Sequence, residues 1–143
     1  MPQIERIIAR GQLVGLTFMQ DAVAASQTDV QLPVAEVTGG AGIANTEYCA
    51  PFAGEVIGLS YALTAAGTTG AFTIGATIGG TEVAASTLTV GTTVKGYTAL
   101  PRGTAAFDAG ALIGAEITTA VGWDGTTADL VVTVWVLLYL DGI

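Results

Sequence analysis

Apolar residues alternate with small or polar ones along most of this chain. Between Phe52 and Thr64, the side chains of Ile57, Leu59, Tyr61 and Leu63 fall on one side, and Gly58, Ser60 and Ala62 on the other. A two-residue period of this kind predicts a strand with one buried face. Phe72, Ile74, Ala76 and Ile78 repeat the pattern against Thr73, Gly75 and Thr77. Gly79-Gly80 follows at once and Val83 resumes the apolar run, the signature of a tight hairpin. Thr87 to Val90 alternates again. Asp108-Ala109-Gly110 is a turn signal, after which Ile113, Ala115 and Ile117 alternate with Gly114, Glu116 and Thr118. Asp29 to Val37 alternates through Val30, Leu32 and Val34, with Pro33 marking an edge. About eight short strands with turns between them predict an all-β antiparallel β-sandwich or barrel. Its expected core holds Ile57, Leu59, Tyr61, Leu63, Phe72, Ile74, Ile78, Leu88, Ile113, Ile117, Val132, Val134 and Val136.

Two stretches break the alternation. Ile4, Ile7 and Ile8 have helical spacing, with Glu5, Arg6 and Arg10 on the other side, until Gly11 interrupts. Residues 1–28 are therefore read as an N-terminal arm or short helix and residues 29–143 as the sandwich domain. The arm either packs on the core or projects from it. At the other end, Leu130 to Leu140 is apolar on both faces. Val132, Val134, Val136, Leu138 and Leu140 point one way, and Val131, Trp135, Leu137 and Tyr139 the other. A strand apolar on both sides is covered on both sides. The second cover is either the arm or another copy of the chain, which marks Val131, Trp135, Leu137 and Tyr139 as candidate oligomer-interface residues. The run is well short of the about 20 residues that span a bilayer as a helix, so no membrane contact is expected.

Composition narrows the function. The chain has 143 residues, 51% hydrophobic and 11% charged, with no histidine and one cysteine. Missing histidine removes a His-based triad, a His-ligated metal and a His switch. Cys49 lacks an activating base and is expected to be a small buried residue. Four basic residues against 12 acids give a net charge of −8, which disfavours nucleic acid. Two of the four bases, Arg6 and Arg10, lie in the arm, so the body is strongly acidic. The start of the chain has no apolar run of signal-peptide length, so Sec-type secretion is not expected and the protein is read as made in the cytoplasm.

Candidate chemistry is thin. Gly39 to Asn45 lacks the ending of a phosphate loop, and a flexible or close-packed turn accounts for it better. Asp124 and Asp129 flank a Thr-rich loop without an EF-hand pattern. The glutamates Glu36, Glu47, Glu55, Glu82 and Glu116 show no spacing that selects an acid pair. Trp123 and Tyr97 are the loop aromatics available for recognition, although Trp123 could equally cap the sandwich end. No catalytic residue, cofactor or metal is expected, and the protein is read as a non-enzyme.

The runs APFAGEVIGLSYALTAAGTTGAFTIGATIGG, FDAGALIGAEITTA and ADLVVTVWVLLYL resemble the β-sandwich of tailed-phage capsid decoration (cement) proteins and related small virion structural proteins. The likeness covers about Ala50 to Leu140 and consists of turns and strands, with no chemical motif. Ala111 stands after the Gly110 turn where a polar residue is often found. The resemblance implies a jelly-roll-like fold, a homotrimer, the major capsid protein as partner, and a place on the capsid exterior of the virion. Function would then be stabilisation of the capsid by bridging its subunits. The arm, through Ile4, Arg6, Ile7, Ile8 and Arg10, is the expected capsid-docking segment. The alternative is a receptor- or carbohydrate-binding module on a virion spike or tail.

Overall fold

The computed structural model describes residues 11–34 and 47–140. Among them the chain forms two antiparallel sheets packed face to face, an all-β sandwich without an α-helix. The first sheet runs in the order β1 (Gln12–Gln20), β11 (Leu130–Leu138), β4 (Gly54–Leu63), β8 (Lys95–Ala99), with the short β9 (Ala106–Phe107) also pairing β4. The second runs β2 (Val30–Gln31), β10 (Leu112–Thr119), β5 (Phe72–Ile78), β6 (Thr81–Glu82); β3 (Tyr48–Cys49) pairs β10, and β7 (Leu88–Val90) pairs β5. With the two-residue strands β3, β6 and β9 left aside, the chain crosses between the sheets at every step except β5 to β7, in the jelly-roll manner.

The alternation explains the layers. Phe18, Leu59, Ile74, Ile113, Ile117, Leu130, Val132 and Val134 are fully buried between the sheets. Ile78 and Leu88 pack against that core from its margin. Gly79 and Gly80 both have positive φ, as the tight β5–β6 hairpin requires.

Several expectations change. The sheet begins at Gln12 rather than at residue 29. Gln12–Gln20, placed with the arm, is strand β1, paired along its whole length with β11. Residues 1–10, with Ile4, Arg6, Ile7, Ile8 and Arg10, lie outside the described residues. The strand expected over residues 29–37 pairs only at Val30–Gln31 before residues 35–46 pass outside the description. Ile57 is half-buried rather than in the core, because the pairing of β4 with β11 slips by one residue between Trp135 and Val136. The slip makes Ile57 the extra residue of a β-bulge, and Val56 takes the inward position. Tyr97, read as a loop residue, stands on edge strand β8.

Candidate interaction surface

The outward side of the first sheet can be built row by row from the register. Gly15, Trp135, Gly58 and Ala99 lie side by side across β1, β11, β4 and β8. The next row is Thr17, Thr133, Ser60 and Tyr97, and the one beyond is Met19, Val131, Ala62 and Lys95. On the other side of the Trp135 row, Leu13 and Leu137 are followed by Glu55. Within the strands, charge therefore occurs only at the two ends of this face, Lys95 at one and Glu55 at the other, and Asp21 and Asp129 adjoin the Lys95 end just past β1 and before β11.

Trp135 sits at the centre and is held in place. Its indole N–H donates to Ser60 Oγ on β4 at 3.0 Å. On the other side its ring passes over Gly15 of β1 so closely that a Cβ there would meet the ring at 3.0 Å. The indole thus lies across three strands, and 39% of the residue remains exposed. Tyr97 is 80% and Leu13 56% exposed. Together with Ile57 they edge a shallow concavity of about 330 Å³. Of the four residues expected at an interface, Val131 and Trp135 are exposed. Leu137 and Tyr139 are half-buried, and Leu137 packs where a side chain at Gly11 would stand.

The Glu55 end is a closed polar cluster. Burial of the Glu55 carboxyl pushes its pKa up, but the Gly103 N–H, the Tyr139 hydroxyl and the Arg102 guanidinium overcome that and hold it below the ordinary value. Arg102 Nε and the Gly103 N–H both donate to the carboxylate. The guanidinium stays largely in solvent while the carboxylate is completely covered. The loop Pro101–Gly103 supplies these donors, and no pattern in the sequence points to it.

The outward side of the second sheet has the opposite character. Glu116 faces outward between Gln31 and Gly75, and Glu82 stands over Gly75. Burial, with Glu82 and Asp29 nearby, raises the Glu116 pKa. Glu47 lies beside Gly114, and its Oε1 is buried without a hydrogen-bond partner among the described residues. No group of three or more His, Cys, Asp or Glu side chains able to hold a metal gathers among the described residues.

Of the two readings of Trp123 the sandwich-end cap holds, and the buried reading of Cys49 is corrected. Trp123 is buried, 3% exposed, with its N–H on the Val23 carbonyl at 3.2 Å and its ring edge-on to Phe72. It caps the sandwich end and offers no face to a ligand. Asp124 beside it accepts from the Thr68 hydroxyl and N–H, which with the Thr69 backbone lowers its pKa to about 2. Asp124 and Asp129 are thus turn-formers, Asp129 accepting from the Ala22 N–H. Cys49 is exposed rather than buried, because it stands opposite Leu112 on the outward side of the second sheet. No family model, curated protein or solved structure matches this chain.

Proposed function

We propose that this protein is a non-catalytic structural component of a viral particle, one that decorates and stabilises a capsid by bridging its subunits. The observation that carries the reading is the outward side of the first sheet. It is broad and its strands carry charge only at their ends, with Leu13, Trp135, Val131 and Tyr97 exposed about a row of Thr17, Thr133 and Ser60, and it is mounted on a two-sheet sandwich. The largest apolar patch of a monomeric soluble protein, typically about 300–600 Å², is often a contact site. The acidic remainder of the surface keeps such a protein soluble and away from nucleic acid. The turn and strand pattern that resembles capsid decoration proteins supplies the class of assembly, with the major capsid protein as partner. The recognition-module alternative needed loop aromatics, and burial of Trp123 takes away one of the two.

Docking is assigned to residues 1–10, where Arg6 and Arg10 offer the positive charge that the body lacks. Because β1 starts at Gln12, deleting those ten residues leaves every described strand intact. The test is cryo-electron microscopy of purified particles carrying full-length or truncated protein. Full-length chain is expected as ordered density on the capsid exterior, with lower occupancy after truncation. Absence of the full-length chain from purified particles by mass spectrometry would defeat the reading.

A further inference from the structure

We propose that two copies of this chain pair face to face through the outward side of their first sheets, about a two-fold axis that passes close to Trp135. The inference rests on the packing-protein reading above and names a second copy of the chain as the occupant of this surface.

Charge selects the occupant. Each copy carries a net −8, so two copies repel unless they meet where the acids are not. The second sheet has Glu47, Glu82 and Glu116 on its outward side, Glu82 exposed and the other two largely covered, and would bring acid towards acid. The strands of the first sheet carry only Lys95 and the Glu55–Arg102 pair at their ends, with Asp21 and Asp129 just past the Lys95 row, where Lys95 of the other copy could meet them. A basic partner would find its complement on the second sheet; a like-charged copy finds it on the first.

Area and preorganisation agree with that choice. Four strands spaced about 4.8 Å apart, averaging about eight residues of about 3.3 Å each, present about 500 Å² per copy. A pair then buries about 1,000 Å², the lower bound for a specific contact and the size of a weak, reversible one. Trp135 contributes at little entropic cost, since Ser60 and the close approach to Gly15 already fix its indole. A large aromatic ordered at the centre of a patch is the usual position of an interface hot spot.

Shape selects the symmetry. A face that meets its own equivalent about Trp135 forms an isologous contact, which closes with two copies. A three-fold ring needs two different complementary patches on each copy, and would leave the Trp135 row at the edge of each contact instead of its centre. The central place of Trp135 on this face therefore favours a pair over the trimer that the resemblance implies.

Sedimentation velocity of the full chain tests this at high micromolar concentration, together with Tyr97→Asp and Trp135→Asp. The wild type is expected to have the mass of two chains, and to associate more tightly as salt screens the net charge. Trp135→Asp should raise the dissociation constant on the order of a hundredfold or more, and Tyr97→Asp on the order of tenfold. Tyr97 is so exposed that its replacement leaves the fold alone, which circular dichroism checks. A monomeric wild type, a trimer, or two variants that pair as tightly as wild type would each overturn the proposal. A monomer still found on particles sinks the pairing and spares the decoration role; a dimer absent from particles does the converse.

Discussion

The two tryptophans of this chain occupy opposite kinds of site with the same local devices. Trp123, at the sandwich end, is wedged between Gly67 and Gly125, where a Cβ would come within 2.4 and 2.3 Å of its ring. Trp135, on the outward sheet face, lies over Gly15 with its N–H on a serine. Each indole is kept in place by glycine and satisfied by one acceptor. One has Phe72 and the core on its remaining side, and the other has water. The difference shows that order in an aromatic does not by itself indicate a role in the fold. Trp123 is ordered because the core closes on it. Trp135 is ordered although the fold has no need to bury it, which is the preparation expected of a contact residue.

Replacing Trp123 with alanine should separate the two sites most sharply. It empties a closed corner and should cost about 3–5 kcal/mol of stability, lowering Tm on the order of 10 °C in a thermal melt. Gly67→Ala pushes into the same ring and should cost about 1–3 kcal/mol. A melt unchanged by both would refute the capping role.

Glu55 probes the boundary between the two kinds of site, since it stands on the outward face yet is fully buried. Glu55→Gln should cost about 1–3 kcal/mol at neutral pH, by weakening the acceptor for Gly103, Tyr139 and Arg102. Its folded pKa is lowered, so its stabilising contribution is present above the ordinary carboxylate value and is lost as pH falls through the folded value. Glu116 has the opposite sign. Its raised pKa means that stability is lost as pH climbs from the ordinary value through the folded one, so Glu116→Gln should stabilise at pH 7. Urea midpoints at neutral and acid pH, for wild type and both variants, decide the signs.

The smallest effect on the fold is expected at Trp135. Trp135→Ala should change stability by less than about 1 kcal/mol while weakening association. A large loss of stability in urea would place Trp135 with Trp123 and remove the contrast.

The sandwich itself was legible because its strands obey a two-residue period. β5 matches the reading from Phe72 to Ile78, and Ile113, Ala115 and Ile117 on β10 point inward as expected. The misses have physical causes. A bulge inserts one residue without changing composition, so Val56 and Ile57 exchange places with no warning in the pattern. In β1, inward Val14, Leu16 and Phe18 do alternate, but outward Leu13 and Met19 blur the contrast, because that side of the sheet is apolar as well. The outward face was half legible: the double apolarity of Leu130 to Leu140 revealed Trp135, whereas Leu13, Ile57 and Tyr97 join it only through register between strands distant in sequence. Glu55 was illegible, since its burial depends on a loop that begins about 46 residues later.

The position of β11 between β1 and β4 governs how the molecule comes into being. A ribosome delivers β1 and β4 long before the strand that joins them. Until Leu130–Leu138 emerges, the first sheet is two separated pieces, each with an open edge and one of them bearing no charge from Gln12 to Gln20. Open, uncharged edges invite pairing with whatever strand is nearby. Closure joins partners more than a hundred residues apart, so it is late and all-or-none. A chain that ends before residue 130 would keep the edges of β1 and β4 that β11 covers open to other strands.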